Sequence, residues 1–345
     1  MKRLLTACLS VAAVLGLMLS PVQAAPKIPV IVATSVDTSP QNYTNVFLFK
    51  FFDLAQKYSG NAFDFQHFPS MQLGNEQESV RGVQLGTIQI AGLATNNFAP
   101  FAPSCGWVNM PYMFDTLEEF RGLVDAMWDQ NNEWAIKEGG CRILSIMDIG
   151  YRQLTTSAKY PVRKLADAKG IKIRTPQNPL MVSTFKALGL EPSAVSFSET
   201  FNALQQGVVD GQEGCLNNVI TMKFYEAQKY ASLINYSVHS CNFVVSEPWL
   251  QSLPANCRDA LLRASKEAML FERTKVAELL AADDKILTDK GMVLLGEVED
   301  MSEWVRLGRT AWPKCYDVIG GGNAEKGKAI IDIVWAKKQE LAAKK

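Results

Sequence analysis

Along most of the chain, short β-branched runs alternate with stretches whose apolar residues recur every three to four positions. Residues 29–35 (PVIVATS) predict a first strand. In 46–58, Phe47, Leu48, Phe51, Phe52, Leu54, Ala55 and Tyr58 fall on one broad helical face, and Ser59-Gly60-Asn61 ends it. Strands are expected at 62–68 and 87–93, with a helix at 75–85 between them and closed by Gly86. Helices follow at 118–128 and 133–137, then a buried strand at 141–147 (CRILSIM) and a break at Asp148-Ile149-Gly150. The same style resumes with strands at 152–156 and 171–175 and helices at 179–188 and 196–206. The last of these helices is expected to open on a capping box of Ser196 and Glu199. A strand at 236–245 is expected to return to the first unit. The apolar pattern at 255–285, with Leu261, Leu262, Ala268, Met269, Val276, Leu279 and Leu280, exceeds an ordinary helix. It implies either a strut across both units or a hidden break. A final helix is expected at 325–342. Strand–helix alternation of this kind predicts an α/β fold with parallel or mixed sheets.

The N-terminus sets the compartment. Lys2 and Arg3 precede an apolar run at 4–19, and Pro21-Val22-Gln23-Ala24 offers a cleavage point after Ala24. This is the three-part pattern of a secretory signal peptide covering 1–24. Composition is otherwise that of a globular protein, 48% hydrophobic and 20% charged, with 35 acidic and 35 basic residues. Loss of Lys2 and Arg3 leaves the mature chain mildly acidic, which argues against nucleic-acid binding. Six cysteines remain after Cys8 departs with the leader, so an exported protein could form disulfides or carry buried thiols. His67 and His239 are the only histidines and have no metal-binding spacing. No cofactor is expected.

In an open α/β sheet, strand C-termini and helix N-termini surround a crevice suited to anions. Arg174, at the end of the 171–175 strand and stiffened by Pro176, is the leading candidate to grip a carboxylate with its planar fork. Arg152, where the two units meet, is a second positive candidate. Phe197 could wall an apolar part of the ligand. Asn217 and Asn218 could add amide contacts, and Thr95, Asn96 and Asn97 stand at a strand end of the first unit. Catalysis has little support: there is no Gly-x-Ser-x-Gly, no phosphate-cradling Gly-Lys-Ser/Thr and no dinucleotide glycine fingerprint.

The segment Pro161-Val162-Arg163-Lys164-Leu165-Ala166-Asp167-Ala168-Lys169-Gly170-Ile171-Lys172-Ile173-Arg174 resembles the core motif of the substrate-binding proteins of tripartite ATP-independent periplasmic (TRAP) transporters. The resemblance continues through Ala187-Leu188-Gly189, Pro192, Phe197, Glu199 and 203–213 (ALQQGVVDGQE), then through 224–230 (FYEAQKY). In the first unit, 72–74 (QLG), 82–86 (GVQLG) and 111–114 (PYMF) fit as well. It implies a two-lobed periplasmic binding fold with crossing strands and a long lobe-spanning helix. Lobe I would comprise 25–150 with 240–280, and lobe II 151–239 with 281–345. It further implies a periplasmic protein that captures a small organic acid and delivers it to a membrane permease; the two arginines suggest a mono- or dicarboxylate, and a monomer is the default expectation. Arg174 matches the family's main carboxylate-binding arginine, Arg152 a second basic contact and Phe197 the aromatic wall. One departure stands out. The family commonly continues Gly-Gln-Glu with Asn-Pro, and this chain has Gly214 and Cys215 there. Either Asn217 replaces the missing amide or Gly214 makes room for a bulkier ligand. The alternatives to transport are a periplasmic enzyme acting on an organic acid, a ligand-sensing subunit of a signalling receptor, and a binding protein for an ATP-driven importer.

Overall fold

The computed structural model describes residues 26–344; the expected signal peptide at 1–24 lies outside them. Two mixed sheets organise the chain. The first contains β1 (Ile28–Thr34), β2 (Phe63–Phe68), β3 (Ile90–Ala94), β4 (Cys141–Tyr151) and β10 (Val238–Ser246), in the order β2-β1-β3-β10-β4. The second contains β5 (Gln153–Thr156), β6 (Lys172–Thr175), β7 (Glu191–Ala194), β8 (Gly211–Gly214), β9 (Tyr230–Leu233) and β11 (Val293–Glu297), in the order β11-β9-β5-β8-β6-β7. Within the first sheet β1 runs parallel to β2 and β3, while β10 is antiparallel to both β3 and β4. The chain passes to the second sheet between β4 and β5 and returns through β10, so two crossing strands join the lobes.

Local chemistry explains the helix limits. In α1 (Tyr43–Ser59), Asn42 accepts from the Thr44 amide, and Gly60 at φ +67° closes the other end. In α2 (Glu76–Leu85), Asn75 and Glu78 form a reciprocal capping box. The box expected at Ser196 is absent. Ser196 Oγ donates to the Glu199 carboxylate at 2.6 Å, and α8 (Thr200–Gln205) starts four residues later, without a side-chain cap. The break expected at 148–150 is absent too. Strand β4 continues to Tyr151 because Gly150, at φ +91°, absorbs the irregularity while pairing with β10 goes on.

The pattern at 255–285 resolves as one uninterrupted helix, α11 (Ala255–Asp289), of 35 residues and about 52 Å. No glycine or proline interrupts it. Its first half buries Leu261, Ala264 and Ala268 with Phe47 and Phe51 of α1 against the first sheet. Its end buries Leu287 in the second lobe with Phe224 and Val219. The strut reading therefore holds.

The C-terminal part divides between the lobes. Trp304 of α12 (Met301–Arg309) packs with Ile173 and Phe185 of the second lobe. By contrast, α13 (Trp312–Ile319) and α14 (Ala324–Ala342) insert Cys315, Ile319 and Ile331 beside Trp107 and Phe120 of the first. The apolar faces of these last two helices join a cluster that is mainly first-lobe and that also takes in Leu180 of the second. All six described cysteines are buried and free, which leaves no described disulfide. Among the described residues, no helix is long and apolar enough to cross a membrane.

Candidate functional site

A cleft lies between the lobes where β6 and β8 face β3 and β10. First-lobe residues Ser35, Glu76, Asn96, Asn97 and His239 line it, opposite Arg152, Arg174, Phe197, Gln212 and Asn218. Water centres can reach about 30 Å³ of it, room for about two waters. The lobes touch at both rims. Asn178 Nδ2 donates to the Asn96 carbonyl at 2.7 Å, and Asn217 Nδ2 donates to the Gln41 carbonyl at 3.0 Å. The lobes are in contact here, and a guest enters when the rims part.

Arg174 stands in the penultimate position of β6, between β7 and β8. It is 3% exposed. Its Nε donates to the Val195 carbonyl at 2.9 Å, and among the described residues it has no ion pair. Burial pushes this guanidinium down to about 10, and the like charge of Arg152 adds to that, while Glu213 and Glu76 pull the other way. A buried cation that is bound through Nε alone keeps its two Nη groups for an anion.

Arg152 is arranged differently. Its Nε and Nη2 grip Glu213 at 2.5 and 2.8 Å, and Tyr236 Oη donates to the same carboxylate at 2.5 Å. Burial works against its charge, yet the Glu213 carboxylate outweighs this and holds the guanidinium above its ordinary range. Only Nη1 is left near the cleft, 3.5 Å from Asn96 Oδ1.

The remaining sequence candidates separate. Asn96 and Phe197 line the cleft; Phe197 is half-buried and packs edge-on to Phe224. Thr95 turns away, its hydroxyl donating to Asn242 Oδ1 at 2.8 Å within the first sheet. Asn217 spends its amide on lobe I: besides the Gln41 bond, its Oδ1 accepts from the Tyr43 amide at 3.4 Å. The next residue, Asn218, reaches the cleft lining instead. A Cβ at Gly214 would come within 3.1 Å of Gln212 Oε1, so glycine there leaves room beside a lining amide.

Two lining residues have no forewarning in the sequence. Glu76, the first residue of α2, is buried. Its carboxylate accepts from the Ala94 amide at 2.8 Å, from Ser35 Oγ at 3.3 Å and from Asn97 Nδ2. Burial raises its pKa, opposed by those donors and by the charge of Arg174. His239 is also buried. Its Nδ1 accepts from the Cys215 amide at 3.1 Å. Burial, then the charges of Arg152 and Arg174, hold it well below its ordinary pKa. It is therefore a neutral imidazole with its proton on Nε2, where it can donate into the cleft. Its place on β10, which returns from the other lobe, gives no local sequence signal. Among the described residues, no cluster of His, Cys, Asp and Glu could hold a metal ion.

The family model DctP, bacterial extracellular solute-binding protein family 7, matches residues 34–317. The chain belongs to this family. The 2,3-diketo-L-gulonate-binding periplasmic protein YiaO of Escherichia coli is 30% identical over 242 residues, 70% of this chain and 74% of YiaO. The C4-dicarboxylate-binding periplasmic protein DctP of Rhodobacter capsulatus is 27% identical over 299 residues, 86% of this chain and 87% of that protein. A TRAP periplasmic solute-binding protein of Rhodobacter sphaeroides, solved in an apo, open and partially disordered form, is 35% identical. It superposes with a TM-score of 0.75 over 90% of this chain and 100% of its own. As a DctP-family member, the protein is a TRAP-transporter periplasmic solute-binding protein for small organic acids, and its family binds rather than transforms its ligands.

Proposed function

We propose that the mature protein, released from its leader after Ala24, captures a small mono- or dicarboxylate in the periplasm through Arg174. It passes this acid to the permease of its transporter as a monomer and without chemical change. The observation that carries this is a buried guanidinium in the cleft with no carboxylate partner among the described residues. A planar fork with free Nη groups recognises a carboxylate with two parallel hydrogen bonds. Exclusion of water on closure strengthens that contact. The Arg152–Glu213–Tyr236 group supports it from behind, because Glu213 anchors Arg152 and adds its negative charge near Arg174. Phe197 covers the carbon chain of the guest, while Asn96 and Asn218 meet its polar groups. Closure brings the Asn178 and Asn217 rims together, and the joined surface is what the permease would read. The two curated relatives are named for a diketo sugar acid and for C4 dicarboxylates, so both ligand classes suit the scaffold.

Native mass spectrometry of protein purified without refolding tests this. A small organic acid should leave the complex on activation, and its mass should identify it. A guest without a carboxyl group would contradict the proposal.

A further inference from the structure

We infer that the cleft is built for a monocarboxylate carrying several hydroxyl groups, and that Glu76 is the residue that turns dicarboxylates away. This rests on the pairing of a guest carboxylate with Arg174 proposed above.

The charge inventory of the cleft leads there. Three basic side chains line it: Arg152, Arg174 and His239. Arg152 is neutralised by the two-point contact with Glu213. His239 is a neutral donor, fixed by the Cys215 amide on Nδ1. One cation is left, and one guest carboxylate satisfies it. A second guest carboxylate finds no further cation. It meets Glu76 instead, a buried carboxyl held on the opposite lobe by the Ala94 amide and Asn97. Two anions brought together in a desolvated cleft repel strongly, which is how a site rejects a near-isostere of its ligand. Glu76 and Arg174 line the same cleft from opposite lobes.

The polar lining suits hydroxyl groups. Glu76 and the Asn96 and Asn97 amides can accept from them, and His239 Nε2–H and Asn218 can donate to them. A plain hydrocarbon chain would leave these buried polar groups unpaired, so a bare fatty acid should bind poorly.

Titration calorimetry on the mature chain at neutral pH decides the matter. The probes are D-gluconate and L-galactonate, their dicarboxylate counterparts D-glucarate and galactarate, and hexanoate. At least one aldonate should bind about tenfold or more tighter than its dicarboxylate counterpart and than hexanoate. Glu76→Gln should narrow the aldonate-to-dicarboxylate ratio at least about threefold, with a cooperative thermal melt showing that the variant folds. Should it not fold, Glu76→Asp, which draws the carboxylate back, reads the same ratio. Equal or tighter binding of the dicarboxylates would overturn the ligand class, and equal binding of hexanoate would overturn the role of the hydroxyl groups. An unchanged ratio in a folded Glu76 variant would overturn the assignment of selection to this residue. If none of the five acids bound, the ligand class would fall; the pairing with Arg174 fails separately, if the guest that co-purifies with the protein has no carboxyl group.

Discussion

Arg152, at the link between β4 and β5, and Arg174, on β6, are equally buried, yet opposite consequences follow from their partners. Arg152 closes on Glu213 and Tyr236. Arg152→Ala would leave the Glu213 carboxylate buried without its counter-charge, and loss of one partner of such a pair typically costs about 3–5 kcal/mol of stability. Urea unfolding should show the midpoint falling accordingly. Arg174 has no carboxylate to strand, so Arg174→Ala should unfold at nearly the wild-type midpoint while losing affinity. Both arginines were legible from the sequence, one at a strand end and the other at the junction of two units. The difference between them was not, because Glu213 and Tyr236 reach Arg152 from 61 and 23 positions away along the chain from Arg152 and Glu213 respectively. Glu76 and His239 stayed hidden for the same reason. Glu76 reads as an ordinary acid in the first turn of a capped helix, and only the fold turns it towards the other lobe.

At the scale of elements, the long helix α11 carries a titratable tie. Tyr43 Oη at the start of α1 donates to Asp283 Oδ1 at 2.6 Å, and Asp283 Oδ2 has no partner. Burial, partly offset by this bond, raises the Asp283 pKa from 3.8 to about 6. An acid that holds its proton more tightly when folded loses stability as pH rises between those two values, and the full penalty is present above the upper one. Asp283→Asn keeps an acceptor for Tyr43 and removes the charge. It should stabilise the protein by up to about 3 kcal/mol at pH 7 and by little at pH 4. Chemical denaturation of both proteins across that interval checks the sign. Long periodic elements such as α1, α11 and α14 were legible because their apolar faces repeat over many turns. The four-residue strands β7, β8 and β9 were not. EPSA and GQEG hold no alternation, and their pairing partners in the second sheet supply the reason they are strands.

At the scale of the whole molecule, closure depends on small polar contacts between otherwise separate cores. Asn178 serves twice. Its Oδ1 caps α7 (Pro179–Ala187) at the Leu180 amide, 2.9 Å away, and its Nδ2 crosses to the Asn96 carbonyl. Asn178→Ala should lower stability by about 1 kcal/mol through the lost cap. It should also weaken ligand binding about fivefold, since one hydrogen bond of the closed form is worth about 1 kcal/mol. Small-angle scattering of the variant should report a larger mean radius than the parent. The two-lobed layout was legible through motifs spread over most of the chain. The return of the last two helices to the first lobe was not, because an amphipathic helix shows that it has a buried face without showing which core receives it.

The most direct measurement is titration calorimetry of Arg174→Ala and Arg174→Lys against the acid that co-purifies with the wild-type protein. The buried guanidinium is expected to supply about 2–5 kcal/mol of affinity, so the alanine variant should bind weakly or undetectably while still folded. Lysine should recover only part of the loss, because it lacks the planar fork. A folded Arg174→Ala protein that binds the acid as tightly as the wild type would contradict the account.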